Sequence, residues 1–349
     1  MISPELTRFI AGLPKAELHV HHVGAASPRI VAELAARHEG TTSVPADPAL
    51  LRSFYDFRDF DHFIEVYLAV MDLVRKPDDL WSLIHGVGRD MAEQRIRYAE
   101  LTITPQPHLA RGFAPDEFCE IIEDARRRVE ADFGTVLRWC FDIPGPDLAV
   151  ADQTLAVALD QRPEGLVSFG LGGPEAGVPR GRFAPHFAAA RAAGLHSAPH
   201  AGEVTDARTV WEAVRELGAE RIGHGIRSVT DPVLLEYLSA NEIALEVCPT
   251  SNVSTGAVPS LADHPLPELV KAGVPVTINT DDPPMFHTTL NQEYAVAADL
   301  LSLDADGIAD LARSAVRASF LGPEGKRALL AEIDAYTARH DRGRRAEAG

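Results

Sequence analysis

Eight short apolar segments, each separated from the next by a longer stretch with helical spacing, restrict the fold of this 349-residue chain more than any other feature. The segments are rich in Val, Ile and Leu and have the length of buried strands. In "EFCEIIEDARRRVEADF", which lies between two of them, Phe118, Ile122 and Val129 fall on one helical face. The predicted strands are Glu17–Val23, Arg97–Thr104, Val136–Ile143, Leu166–Gly172, Leu195–His200, Arg221–Gly225, Ala244–Cys248 and Pro275–Thr280.

Eight strands that alternate with helices predict an α/β fold of the (β/α)₈ TIM-barrel type. A doubly wound sheet is the alternative, but it usually has fewer strands and a glycine-rich first turn, and no G-x-G-x-x-G follows the first predicted strand. We expect one barrel domain over residues 1–335 and a frayed polar tail over 336–349. The first connection is too long for one crossover helix, so residues 27–94 are expected to form a helical insertion, either as a lid over the barrel mouth or packed outside the barrel.

The charge and the cysteine usage exclude several classes of protein. A formal net charge of −18 argues against nucleic-acid or membrane-surface binding, because either needs a clustered basic face. No apolar run approaches the length of a membrane span, and the N-terminus lacks the pattern of a signal peptide. Three cysteines without metal-type spacing favour a reducing, cytoplasmic location. The sequence does not indicate an oligomeric state.

The first predicted strand carries three histidines, in the stretch "AELHVHHVGA". Alternate side chains share a face of a strand, so His19 and His21 point the same way and His22 points away from them. Inside a barrel the shared direction is the interior, where two imidazoles would form half of a metal site. On its own an H-x-H pattern is weak, because many such pairs are ordinary hydrogen-bonded histidines.

Other predicted strand ends carry the same kinds of residue. "APHAGE" supplies His200 and Glu203, "RIGHGI" supplies His224, and "INTDDPP" supplies Asp281 with its neighbour Asp282. A barrel enzyme places its chemistry at the carboxyl ends of its strands, and burying so many ionisable groups without a function would be costly. Imidazoles and a carboxylate suit Zn²⁺, although Fe²⁺ or Co²⁺ fits the same donors.

The motifs "LPKAELHVH", "HAGE", "RIGHGI", "LEVCPTSN" and "TDDP", in this order, resemble the adenosine deaminase family of metal-dependent amidohydrolases. The resemblance extends from Leu13 to about Tyr294. It implies a (β/α)₈ barrel and one Zn²⁺ per chain, with a remaining coordination position for water. The implied ligands are His19, His21, His200 and Asp281.

The resemblance also implies the roles of the remaining site residues. Glu203 would donate a proton to N1 of an adenine ring, while His224 acts as general base and electrostatic anchor and Asp281 shares the proton. Asp282 would contact N7, and the backbone N–H of Gly173 would contact N3. Water would then replace the 6-amino group, which leaves as ammonia.

One of the positions that depart from the family pattern concerns the 5′ end of the ribose. Val23 stands where relatives typically carry an aspartate that contacts the ribose 5′-hydroxyl, and valine cannot accept that hydrogen bond. We therefore expect a small purine nucleoside with a modified 5′ group, such as 5′-deoxyadenosine, methylthioadenosine, S-adenosylhomocysteine or aminodeoxyfutalosine, an intermediate of menaquinone biosynthesis that a subgroup of the family deaminates. Ordinary adenosine deamination is the alternative, and a non-catalytic nucleoside-binding relative is a distant one.

Overall fold

Parallel β-strands build the centre of the molecule. The structure, a computed structural model, describes residues 2–348, with side chains described as far as residue 342. The strands form two hydrogen-bonded sheets, in the orders β1-β2-β3-β4-β5 and β6-β7-β8-β9, and every pairing is parallel. The strands are β1 Lys15–His21, β2 Ile96–Ile103, β3 Val136–Ile143, β4 Leu166–Leu171, β5 His196–Ser197, β6 His200–Ala201, β7 Arg221–His224, β8 Ala244–Val247 and β9 Val276–Ile278.

Backbone hydrogen bonds close the two sheets into one barrel. Strands β5 and β6 are two pieces of one barrel strand, interrupted beside Pro199, which has no N–H to donate. Across the interruption, Glu220 N donates to Ser197 O at 2.9 Å and Gly223 N donates to Pro199 O at 3.0 Å. On the far side, a parallel bridge joins Val20 of β1 to Asp281, just after β9. The eight-stranded barrel predicted from the sequence is confirmed, with its fifth strand divided.

Helices surround the barrel and lie between its strands. They are α1 Pro4–Gly12, α2 Pro28–Arg37, α3 Pro48–Phe54, α4 Phe60–Met71, α5 Pro77–Glu93, α6 Pro105–Ala110, α7 Pro115–Phe133, α8 Leu148–Gln161, α9 Ala184–Ala192, α10 Ala207–Arg215, α11 Pro232–Ala240, α12 Pro249–Ser254, α13 Leu266–Lys271, α14 Leu290–Leu301, α15 Ala305–Ala318 and α16 Pro323–Ala348. Short 3₁₀ turns occur at Arg180–Phe183, Ile226–Thr230 and Leu261–Asp263. None of the helices in the described part of the chain is both long and apolar enough to cross a lipid bilayer.

Local sequence signals set the starts of many helices. Asp59, Asp147 and Asp231 each precede a helix and accept a hydrogen bond from a backbone N–H in its first turn. Proline at the first helical position, as in α2 and α7, removes an N–H that would have no partner within the helix.

Four helices, α2 to α5, occupy the long connection between β1 and β2. Helix α4 lies at the carboxyl end of the barrel, where the ring of Phe63 packs 5.1 Å from the ring of Phe286, in the segment that follows β9. A lid function for this insertion stays a prediction.

At the other end of the chain, helix α16 carries the backbone to Ala348, and the Tyr336 hydroxyl donates to Phe9 O at 3.0 Å. The fraying predicted for residues 336–349 stays a prediction. The three cysteines, Cys119, Cys140 and Cys248, are free and buried, and the cytoplasmic location inferred from them also stays a prediction.

A buried arginine crosses the barrel interior below its carboxyl end. Arg221, on β7, pairs with Glu100 of β2, and its Nε donates to Glu246 Oε1 of β8 at 2.5 Å. Its guanidinium carbon lies 3.8 Å from the centroid of the Phe320 ring. Both carboxylates are buried, and each pairs with this one cation.

We expect Arg221→Met to destabilise the protein by about 3–5 kcal/mol, because it leaves two buried carboxylates without their cation. The free energy of urea-induced unfolding measures the effect. Arg208→Met is the matched control, since Arg208 is 86% exposed and pairs with Asp206 at the surface. Equal stability of the two variants would contradict the interpretation.

Candidate active site

Three histidines from two strands converge at the carboxyl end of the barrel. His19 and His21 point to the same side of β1, as the alternation predicts, and His200 of β6 faces them, its ring centroid 4.5 Å from that of His19 and 5.5 Å from that of His21. One nitrogen from each ring lies within 4.8 Å of the other two. His19 Nε2, His21 Nδ1 and His200 Nδ1 are buried without a hydrogen-bond partner.

Asp281 completes this cluster. Its Oδ1 lies 2.8 Å from His21 Nδ1 and 3.6 Å from His19 Nε2, and its Oδ2 accepts a hydrogen bond from Ser251 Oγ at 2.7 Å. Burial opposes charge on this carboxyl, but the adjacent imidazoles of His19 and His21 hold its pKa well below the usual value. The backbone at Asp281 has a φ of 68°, an uncommon conformation for a residue with a side chain.

The cluster fits a divalent cation. Ligand atoms about 2.0–2.1 Å from a tetrahedral zinc ion lie roughly 3.3 Å from one another, and the two distances to Asp281 Oδ1 lie on either side of that value. The unpartnered ring nitrogens would otherwise be buried at a cost. Burial and the neighbouring His19 and His224 hold the pKa of His200 well below its usual value, so this imidazole is neutral.

A second layer of contacts orients His19. Its Nδ1 lies 2.9 Å from Oε2 of Glu246, whose other oxygen accepts from Arg221. Because Nδ1 is engaged with this carboxylate, Nε2 is left to face the centre of the cluster. Neither Glu246 nor Ser251 was predicted from the sequence, although both lie in the "LEVCPTSN" motif.

A chain of donors and acceptors leads to His224 from the neighbouring helices. The backbone N–H of Leu266 donates to His264 Nδ1 at 3.1 Å. Burial lowers the pKa of His264 to about 4, so its single ring proton is on Nε2, which donates to Asn252 Oδ1 at 3.2 Å. The amide nitrogen of Asn252 then donates to His224 Nδ1, also at 3.2 Å.

This chain fixes the tautomer of His224. Burial lowers the pKa of His224 to about 3, so the ring is neutral, and with Nδ1 accepting a hydrogen bond its proton is on Nε2. That nitrogen lies 3.7 Å from Glu203 Oε2 and 4.0 Å from Asp281 Oδ2. His224 therefore presents a hydrogen-bond donor to the site.

Glu203 lies on a loop that one carboxylate holds in place. The carboxylate of Glu175 accepts from the backbone N–H groups of four consecutive residues, 202–205, and from the hydroxyl of Thr209. Burial raises the pKa of Glu203 to about 8, and the negative charges of Asp281 and Glu175 add to the rise. The Glu203 carboxyl is consequently protonated at neutral pH, as the sequence reasoning requires of a proton donor.

A cavity of about 220 Å³ joins these groups to the surface. Its inner wall includes His21, His200, Glu203, His224 and Asp281, and α4 supplies its outer wall. The described residues that line it are His21, Phe60, Phe63, Ile64, Tyr67, Leu68, Met71, Thr104, Pro107, Asp142, Pro144, Gly172, Gly173, His200, Glu203, His224, Thr255, Asp281 and Asp282.

Gly173 and Asp282, both predicted to contact the purine, line this cavity. Gly173 has a φ of 69°, and a Cβ there would lie 2.1 Å from Pro144 O, so only glycine fits this close approach. Asp282 Oδ1 is buried without a hydrogen-bond partner. Burial and the charge of Asp281 raise the pKa of Asp282 to about 6, toward the protonated form that contact with N7 requires.

Two residues that follow His21, His22 and Val23, lie away from the cavity. His22 points outward, as predicted, and its Nε2 lies 3.0 Å from His108 Nε2 of α6. Val23 is fully buried and does not line the cavity, so a part for this residue in selecting the 5′ group stays a prediction.

Comparisons with known proteins agree with this geometry. Residues 14–336 match the family model described as adenosine deaminase. An aminodeoxyfutalosine deaminase of Streptomyces coelicolor is 60% identical over 345 residues, which cover 97% of this chain and 89% of the relative. An adenine deaminase of Arthrobacter aurescens has a solved structure with a TM-score of 0.88 and 32% identity, covering 94% of this chain and 100% of that one. A Zn-bound amidohydrolase of Burkholderia ambifaria shares the fold, with a TM-score of 0.88 and 24% identity over 98% of this chain and 96% of its own. This chain belongs to the adenosine deaminase family.

Proposed function

We propose that this protein is a hydrolase that replaces the 6-amino group of an adenine nucleoside with oxygen and releases ammonia. One observation carries the proposal: the buried carboxyl group of Glu203 shares a cavity with three imidazoles and the carboxylate of Asp281, and burial raises its pKa to about 8. Membership of the adenosine deaminase family supports the same chemistry. A non-catalytic relative would not need to keep all of these groups together.

We propose Zn²⁺ as the cofactor, held by His19, His21, His200 and Asp281, although Fe²⁺ or Co²⁺ suits the same donors. When bound, such a cation would lower the pKa of a water molecule from about 15.7 toward 7, so that hydroxide is available at neutral pH.

One backbone group and two side chains of the cavity wall position the purine. The backbone N–H of Gly173 donates to N3, the carboxyl of Glu203 faces N1, and Asp282, whose pKa is raised to about 6, donates to N7 in its protonated form. Transfer of the Glu203 proton to N1 withdraws electron density from C6, which favours addition of a water-derived oxygen there. These three contacts leave C6 facing His224 and Asp281.

The remaining protons are assigned by the hydrogen-bonding state of each group. Because His224 Nε2 carries a proton, His224 stabilises the attacking oxygen as a donor, and the role of base that the family resemblance implies for it falls to Asp281. Asp281 takes a proton from water and passes it to the departing amine, which leaves as ammonia. The hydroxyl proton left on C6 returns to Glu203 as the carbonyl forms.

The outer wall of the cavity supports a substrate with an apolar 5′ group. Phe60, Ile64 and Leu68 of α4 line the cavity but remain 38%, 37% and 51% exposed. A free adenine base would leave this apolar rim in water, whereas a large 5′ substituent would cover it. The 60%-identical relative is named for aminodeoxyfutalosine, and we propose a 5′-modified adenosine of that kind as the substrate here.

Glu203→Gln is expected to lower kcat about 10²–10⁴-fold, since glutamine keeps the size and hydrogen bonding of the side chain but has no acidic proton to transfer. Ammonia release under saturating substrate measures this loss. The control is Glu236→Gln, on the exposed face of α11. Comparable rates for the two variants would remove Glu203 from the proposed role.

Removal of metal with a chelator is expected to abolish activity and to lower the melting temperature by several degrees, because an ion bound only by the folded state at 1,000 times its Kd contributes about 4 kcal/mol. Calorimetry before and after addition of Zn²⁺ measures the change. His200→Asn should eliminate the response to Zn²⁺, whereas His85→Asn, on the outer helix α5, should keep it. A chelated protein with unchanged activity and melting temperature would refute the metal site.

We expect 5′-modified adenosines to give a higher kcat/KM than adenosine. Free adenine, which has no sugar, should give the lowest value of the three. Leu68→Ser should reduce this preference, since it removes an apolar contact at the rim of the cavity. Val233→Ser, at another exposed apolar residue, should not. A kcat/KM for adenosine above that of every 5′-modified analogue would contradict the substrate assignment.

A further inference from the structure

Asp142 is a carboxylate of the cavity wall that the proposed chemistry leaves without a task. It lies near the carboxyl end of β3 and is almost fully buried, yet it lines the cavity together with Thr104 and Gly172. Thr104 Oγ1 donates to Asp142 Oδ1 at 2.6 Å. No other described residue donates a hydrogen bond to Oδ2, so one oxygen of a buried carboxylate is available to a ligand.

In the proposed binding mode, the free oxygen of Asp142 lies near the edge of the purine that carries the sugar. A Cβ added to Gly172 would lie 2.8 Å from Asp142 Oδ2, so the carboxylate is adjacent to the segment that ends in Gly173. In the proposed function the N–H of Gly173 contacts N3 of the purine. N3 and N9 are both bonded to C4, and N9 carries the sugar, so a group beside the N3 anchor faces the ribose.

Other groups of the cavity are already assigned. Glu203 and His224, whose carboxyl and imidazole atoms lie 3.7 Å apart, act at N1 and C6. The proposed chemistry gives Asp142 no proton to transfer. Because Asp142 lines the cavity, its free oxygen can accept a hydrogen bond from a hydroxyl group of a bound substrate in place of solvent.

We propose that Asp142 is a specificity residue whose Oδ2 accepts a hydrogen bond from a 2′- or 3′-hydroxyl of the substrate ribose. The inference rests on the proposed function, because it uses the same placement of the purine. It supplies a carboxylate contact to the sugar in a chain where Val23 is buried away from the cavity. It also provides a reason for the site to prefer a ribonucleoside over a free base or a deoxynucleoside, since a site with a buried polar group rejects the analogue that lacks its partner.

Kinetics with matched analogues test the contact. Asp142→Ala is expected to lower kcat/KM for adenosine on the order of 10- to 100-fold, the value of a hydrogen bond to a charged group. For whichever of 2′-deoxyadenosine and 3′-deoxyadenosine lacks the recognised hydroxyl, the same substitution should have little further effect. Asp142→Asn keeps an acceptor oxygen and should recover part of the loss.

A merely structural role for Asp142 makes a different prediction. If it only holds Thr104, then Asp142→Ala and Thr104→Val should lower kcat/KM by similar factors for adenosine and for both deoxy analogues. That result would overturn the proposal, as would an Asp142→Ala variant with unchanged kcat/KM for adenosine. Melting temperatures of all variants identify any loss that is due to unfolding.

Equilibrium binding separates this proposal from the proposed function. Calorimetry with inosine, 2′-deoxyinosine and 3′-deoxyinosine needs no turnover, and Asp142→Ala should weaken binding of inosine but not of the analogue that lacks the recognised hydroxyl. If the zinc-loaded protein deaminates no adenine nucleoside, the proposed function fails while this binding pattern still decides the role of Asp142. If none of the three nucleosides binds, both proposals fail.

Discussion

The pairing of β1 with the segment after β9 is the interaction on which the rest of the structure depends. His21 N donates to Asp281 O at 2.9 Å, and Asp281 N donates to His19 O at 3.1 Å. These two hydrogen bonds close the barrel, and they bring the carboxylate of Asp281 beside the imidazoles of the same two histidines. The same contacts hold Asp281 in its positive-φ conformation, so the strain at this residue is supported by the closure of the fold. Barrel closure and assembly of the donor cluster are therefore one event.

A series of buried charged side chains connects the bottom of the barrel to the candidate active site. Glu100, Arg221 and Glu246 form a buried series that ends at Nδ1 of His19. Apolar side chains at the bottom of the barrel would be less costly to bury, but they could not fix which nitrogen of His19 faces the centre of the histidine cluster. The orientation of this histidine thus depends on residues from three other strands. His224 depends in the same way on Asn252 and His264.

The sequence was sufficient to predict the barrel and the side chains that the structure brings together at its carboxyl end. Strand number follows from the spacing of apolar runs, and the common direction of His19 and His21 follows from the two-residue period of a strand. What could not be predicted are contacts between segments that are distant along the chain. His264 acts on His224 through Asn252, and Glu175 holds the loop of Glu203 from a different strand end. Neither set of contacts produces a periodic pattern in the sequence, because the lengths of the intervening helices set the spacing between the partners. Periodicity also could not tell that Val23 lies outside the cavity or that Pro199 divides the fifth strand.

The distribution of the proposed metal donors along the chain has a consequence for how the protein is made. His19 and His21 come first along the chain, His200 follows, and Asp281 comes last, so these residues emerge from the ribosome in that order. Until Asp281 is synthesised and the segment that contains it closes the barrel, the proposed site would offer only imidazoles to a cation. Assembly of the complete donor set would therefore require synthesis of the chain through residue 281, and a product of termination before that residue would lack the carboxylate.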